Sequence, residues 1–209
     1  MTFNAAAIRN FSLALTGAMT LSACASLGWG GDNSQELTDV LESKPATEAP
    51  AETPAPAAAP FVEKSVTSEI LGREGAVVGD LTAESAPGGV LLRVRIDPGS
   101  LSPGWHGLHL HQVPDCSDMG FKLSGGHVGK HEGGHGLKNP AGPEAGDLPN
   151  IYASRDGSAA AEMYTALTTF PALEAAGGFA MVIHEGPDDQ ITQPIGGAGA
   201  RVACSAIKF

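Results

Sequence analysis

Between Leu92 and Asp97 the chain alternates strictly. Leu92, Val94 and Ile96 are apolar, while Arg93, Arg95 and Asp97 are charged. A period of two places one set on each side of an extended strand, one side buried and one wet. A second apolar run, "AVVGDLTA" (Ala76–Ala83), precedes it, and "APGG" (Ala86–Gly89) between them is a hairpin-type breaker. The series continues with "GLHLHQV", "NIYAS", "AAAEMYTAL", "GGFAMVIHE" and "ARVACSAIKF", and "SRDGS" supplies a turn between the second and third of these. No long segment carries a helical period with caps. The pattern predicts an all-β fold, an antiparallel sandwich or barrel. Two long stretches, Pro114–Pro149 and Gly186–Gly199, have little strand character; structureless loops of that size in a compact domain are usually functional.

The apolar pattern changes character before Phe61. Residues 1–23 read as a signal peptide, with Arg9 in a short basic region and Phe11–Leu21 too short to span a bilayer. "LSAC" (Leu21–Cys24) then has the form of a lipoprotein cleavage box, which makes Cys24 the expected lipidation site and membrane anchor. Ala25 follows it, so retention at the inner membrane is not signalled and an outer-membrane anchor facing the periplasm is expected, in a Gram-negative cell envelope. Residues 24–60 cannot build a core, because twelve of the sixteen residues from Pro45 to Pro60 are Ala or Pro. Such a tether is a semi-rigid spacer of roughly 50 Å where extended. Residues 61–209 are the expected globular domain. That segment carries 10 basic against 17 acidic side chains. The balance argues against nucleic acid and against adhesion to anionic lipid, and requires a local positive spot if any substrate is an anion.

Three cysteines are present. With Cys24 assigned to the anchor, Cys116 and Cys204 remain in an oxidising compartment, where an even pair is best read as one disulfide.

All seven histidines lie between His106 and His184. His109 and His111, two apart on a strand, share a face opposite Leu108 and Leu110. His106 has the parity of the leucines and reads as a structural, hydrogen-bonding core residue. His184 ends a strand where a long loop begins. His127, His131 and His135 crowd the first half of "GHVGKHEGGHGLKNPAGPEAGD" (Gly126–Asp147), and Glu144 and Asp147 close the second.

"GWHGLHLHQ", "GGH" at 125–127, "GDLPN" at 146–150, "VIHEGPDD" at 182–189 and "GGAGARVAC" at 196–204, taken together, resemble the bacterial copper/zinc superoxide dismutases. The resemblance runs from about Val66 to Phe209 in the family's order. It implies an eight-stranded Greek-key β-barrel with a metal-binding loop and an electrostatic loop. It further implies conversion of two superoxide anions to O₂ and H₂O₂ by redox cycling of one copper per chain. Carried over residue by residue, the copper ligands fall on His109, His111, His127 and His184, a nitrogen set suited to copper. The disulfide pair falls on Cys116 and Cys204, and the anion-docking arginine on Arg201, three residues before the cysteine. Asp188 falls where the family places a carboxylate behind both metal sites, orienting His109 and His135. His127 falls on the imidazole that bridges the metals and carries a proton.

The zinc half departs from the pattern. His127, His135 and Asp147 fall on three of its four ligands, but the position three residues before the aspartate is Glu144 where the family has histidine. "HVGK" also replaces the usual "HFNP", and His131 is an addition. Three arrangements stay open from sequence: zinc held with the Glu144 carboxylate as fourth ligand, zinc held with His131 swung in on a glycine-rich loop, or a copper-only protein. The alternative function is a periplasmic lipoprotein that buffers copper or zinc without turnover. It explains the histidines but gives Arg201 no purpose. Bacterial relatives are monomers or homodimers, and both states fit.

Overall fold

The computed structural model describes residues 61–209; the expected signal peptide, Cys24 and the tether lie outside the described residues. Nine strand segments fold antiparallel: β1 Ser65–Gly72, β2 Val77–Ala86, β3 Gly89–Ile96, β4 Gly104–His106, β5 Leu108–His111, β6 Ile151–Ala153, β7 Ala159–Thr165, β8 Gly178–His184 and β9 Arg201–Lys208. Seven form a curled sheet in the order β5-β8-β9-β1-β2-β3-β7, and β4 pairs with β6 in a second sheet. Gly107 alone separates β4 from β5. Its N–H donates to Gly186 O and its carbonyl accepts from His184 N, each at 2.8 Å, so one interrupted strand belongs to both sheets. Counted that way, the strands number eight, as the resemblance implies. The "SRDGS" turn joins β6 to β7 through Ser154 N–H to Ser158 O at 2.7 Å, which closes the curl.

The alternation in β3 does what its period requires. Val90, Leu92, Val94 and Ile96 are buried, and on the wet face Arg95 Nε meets Asp80 at 3.0 Å across the β2 pairing. The main core gathers Ile70, Leu81, Leu92, Leu110, Phe179 and Met181 with their neighbours inside the barrel. Strand β8 is buried on both faces. Phe179, Met181 and Ile183 enter the main core, whereas Ala180 and Val182 join Phe121 and Cys204 in a second cluster against Cys116. Cys116 and Cys204 are disulfide-bonded across 88 residues, and the bond fastens the long loop over the outer face of β8.

Two elements go beyond the sequence reading. Strand β1 was not anticipated because it is largely Ser, Thr and Glu, with Ile70 as its one fully buried residue. A short helix, α1 (Phe170–Ala175), follows Thr169, whose side chain caps it by accepting from Ala172 N at 3.3 Å. The two long loops hold one 3₁₀ turn, Lys122–Ser124, and no other regular element among the described residues.

Candidate metal centre

Strand β5 organises the site. Its pleat sends Leu108 and Leu110 inward and His109 and His111 to the outer face, all four buried. The metal loop then lies alongside: Val128 N–H donates to Leu110 O and Leu110 N–H to Gly146 O, each at 2.8 Å. These bonds set His127 opposite His111 and Asp147 opposite His109. The backbones approach so closely that a Cβ at Gly146 would collide with the Leu110 carbonyl, which explains the glycine of "GDLPN". His184 arrives from the end of β8, with its ring centre 4.8 Å from that of His109.

One nitrogen on each of three histidines is fixed by a hydrogen bond to its surroundings. His109 Nε2–H donates to Asp188 Oδ2 at 2.8 Å, His111 Nδ1–H to Gly125 O at 2.9 Å, and His184 Nδ1–H to Gly199 O at 3.1 Å. The opposite nitrogens, His109 Nδ1, His111 Nε2 and His184 Nε2, are buried without partners, as are both nitrogens of His127. Ligand atoms of His109, His111 and His184 lie within 4.8 Å of one another. Orphaned buried nitrogens are costly unless something binds them. A convergent imidazole set suits copper. Burial, aided by neighbouring charges, lowers the pKa of His111 to about 2 and of His184 to about 4, and burial likewise lowers that of His109. All three are therefore neutral, the ligating form, at neutral pH.

The second group is more acidic. Donor atoms of His109, His127, His135 and Asp147 fall within 4.8 Å of one another. His109 stands in both groups because it lies between them; its Nε2 is held by Asp188, and its free Nδ1 belongs with His111 and His184. Asp147 is anchored through Oδ2 by Gly136 N–H at 2.7 Å and Glu144 N–H at 2.9 Å, which leaves Oδ1 for His135 Nδ1 at 2.6 Å. The buried Glu144 carboxylate reaches in, with Oε2 2.8 Å from His127 Nδ1, and Asp147 Oδ1 is 3.1 Å from the same atom. Neither approach has hydrogen-bond geometry, since His127 Nδ1 is among the unpartnered atoms. Carboxylate oxygens crowding an imidazole nitrogen off its hydrogen-bonding axis fit a cation between them. The donors, two nitrogens and two carboxylates, are ones zinc accepts. Burial disfavours a charged His135, but its hydrogen bonds to Asp147 and Asp188 outweigh this and raise its pKa to about 9. For Asp147 and Asp188 burial acts upward, yet the imidazoles facing them, His127 and His135 for Asp147 and His109 and His135 for Asp188, hold both well below the usual carboxylate range.

His131 lies outside this group. It is exposed, its Nδ1 accepts from Gly133 N–H at 3.0 Å, and its Nε2 donates to Pro143 O at 3.1 Å. The arrangement in which it swings in as the fourth ligand, the weaker of the two zinc-holding alternatives, finds no support here: loop backbone occupies both of its ring nitrogens. His106 is buried, with Nδ1 2.7 Å from His184 O and Nε2 2.8 Å from Ser102 O, in keeping with a structural role.

Asp188 joins the two groups, with Oδ2 on His109 and Oδ1 on His135 Nε2 at 3.1 Å. Gly196 (φ +60°) packs directly on that carboxylate, and any side chain there would strike it. Asn150 holds the Asp188 backbone from both sides, accepting from its N–H at 3.0 Å and donating to its carbonyl at 2.8 Å. Gln193 clamps His135 likewise, accepting from its N–H at 2.9 Å and donating to its carbonyl at 2.7 Å. Sequence reasoning missed these amides. Asn150 stands inside the quoted "GDLPN", whereas nothing in the spacing marks Gln193.

Arg201, at the start of β9, lies over the long loop. Nη1 donates to Phe121 O at 2.6 Å and Ser124 Oγ at 3.0 Å, and Nη2 donates to Gly125 O at 2.8 Å. Its Nε makes no hydrogen bond among the described residues. Gly125 O also accepts from His111, so the guanidinium and one imidazole share an anchor.

Residues 77–207 match the family described as copper/zinc superoxide dismutase (SODC). A superoxide dismutase [Cu-Zn] from Caulobacter vibrioides is 46% identical over 153 residues, covering 69% of this chain and 86% of the relative. Superoxide dismutase [Cu-Zn] 2 from Aquifex aeolicus is 35% identical over 147 residues, covering 68% and 85%. Among solved structures, a Cu/Zn superoxide dismutase from Brucella abortus superposes with a TM-score of 0.59 at 28% identity, covering 69% of this chain and all of that one.

Proposed function

Because the chain belongs to the copper/zinc superoxide dismutase family, we propose that it converts two superoxide anions to O₂ and H₂O₂ at the buried histidine cluster. The observation that carries this reading is the set of unpartnered nitrogens beside Arg201. His109 Nδ1, His111 Nε2, His184 Nε2 and His127 Nε2 would hold copper. His127 Nδ1, His135, Asp147 and Glu144 would hold zinc. Copper bound there supplies one-electron redox chemistry. Arg201 is permanently charged, and its free donors can dock a small anion in a domain whose overall charge repels one. His127, whose two nitrogens are both unpartnered, would be the ligand common to the two metals, and Nε2 is the atom at which it can hold a proton. Asp188 keeps His109 and His135 in the tautomers that aim Nδ1 at the metals.

A buffering protein would need the histidines but not Arg201. Copper-loaded protein is expected to dismutate superoxide, and His184→Ala to abolish this. Activity no higher than that of free copper would support the buffering reading instead.

The cellular setting belongs to the same proposal. Cys24 in "LSAC" and the Ala/Pro-rich run to Pro60 support an enzyme tethered to the periplasmic face of the outer membrane, as monomer or homodimer. Blocking lipoprotein signal peptidase should then leave an uncleaved precursor; normal processing would contradict the anchor.

A further inference from the structure

Ser124 has no exposed surface, and most buried hydroxyls are hydrogen-bonded. Its Oγ donates to Phe121 O at 2.7 Å and accepts from Arg201 Nη1 at 3.0 Å. The same oxygen lies 3.3 Å from His111 Nδ1, whose proton is directed to Gly125 O at 2.9 Å. Among the described residues, Ser124 is thus the side chain that makes polar contact with both the guanidinium and a histidine of the copper set. The turn beneath it is under constraint. Phe121, a non-glycine residue, sits at φ 54°, and this conformation directs its carbonyl to Arg201 and Ser124 together. Packing of its buried ring with Ala180, Val182 and Cys204 holds it there.

We propose that Ser124 is a positioning residue, its hydroxyl fixing the orientation of the Arg201 guanidinium relative to the His111 imidazole. The inference rests on Arg201 being the anion-docking cation. Without the hydroxyl, Arg201 keeps its two carbonyl partners and stays in place, but its remaining donors are less well aimed at an anion beside the metal. His111 keeps its bond to Gly125, so copper ligation is unaffected.

The test is a titration of copper-loaded, full-length protein with azide, a small monovalent anion, followed by the Cu(II) EPR and visible spectra. Ser124→Ala should load as much copper as wild type and bind azide about 3- to 10-fold more weakly, the scale of one lost hydrogen bond. Superoxide kcat/KM should fall by a similar factor, and Ser124→Thr, which keeps the hydroxyl, should restore both. In an Arg201→Ala background, Ser124→Ala should change azide affinity less than about twofold, because the two act as one unit. Unchanged azide affinity in Ser124→Ala overturns the inference, as does an equal loss in the Arg201→Ala background. Loss of copper from Ser124→Ala also overturns it, since the hydroxyl would then be holding ligands. If Arg201→Ala itself leaves azide affinity unchanged, the docking role fails and the inference falls with it. If Arg201→Ala weakens azide and Ser124→Ala does not, only the role of Ser124 fails.

Discussion

The two donor groups are neighbours, joined through His109 and Asp188, yet they are built differently. Three of the copper-side histidines ride on strands β5 and β8, and each has its second nitrogen fixed by a carbonyl or a carboxylate. The zinc side is built from one long loop, with Glu144 and Asp147 beside His135 and with Gln193 reaching across from a second loop. Burial strips protons from the first group, whereas paired carboxylates hold one on the second. The strand-borne set is fixed by sheet hydrogen bonds, the loop-borne set by side-chain contacts within and between loops.

Removing the disulfide with Cys116→Ser should have the largest effect. It releases the loop that carries Phe121, Ser124 and the carbonyls that hold Arg201. The 88-residue separation implies about 4–5 kcal/mol in the chain-entropy model. Calorimetry should show that loss, with activity falling further than copper content. A full loss of copper would instead mean that the strand-borne group depends on the loop.

Asp188→Ala removes the one carboxylate common to both groups. Such partners are typically worth about 10- to 100-fold in metal affinity. Competition with chelators should show zinc weakened more than copper, because His135 rides on a loop whereas His109 is held in the β5–β8 pairing; equal weakening would remove the contrast.

The pKa shifts give the two sides opposite signatures in metal-free protein. His135, raised from 6.5 to about 9, binds its proton more tightly when folded; its contribution is fully present below pH 6.5 and is lost as pH rises through about 9. His184, lowered to about 4, and His111, lowered to about 2, refuse protons that the unfolded chain accepts. Their contribution is present above pH 6.5 and is lost as pH falls. Melting temperature should therefore peak near pH 6.5 and decline on both sides. A continued rise to pH 9 would contradict the charged His135.

The smallest effect is expected from Gln193→Ala, which unclamps the His135 backbone. Zinc affinity should drop about fivefold, the scale of one or two part-buried hydrogen bonds, while copper affinity stays level. A change in copper affinity would show that the clamp reaches across Asp188.

The same contrast governs what could be read from sequence. His109 and His111 announce their shared face through a period of two, and β3 declares its buried side in the same way. The loop-borne donors have no period. His135 and Asp147 could be placed only by family resemblance, and the preference for Glu144 over His131 had no local pattern behind it, because the choice depends on loop backbone claiming both nitrogens of His131. Ser124 and Gln193 act through folded contacts 77 and 58 residues distant in sequence, which no local pattern encodes. Strand β1 was missed because its pairing with β2 and β9, rather than its own polar sequence, makes it a strand.

Element analysis of purified protein reconstituted with excess copper and zinc and then desalted bears most directly on the two-site reading. One copper and one zinc per chain are expected, with zinc falling and copper unchanged in Glu144→Ala. One copper and no zinc in the wild type, with zinc bound only after Glu144→His, would contradict it.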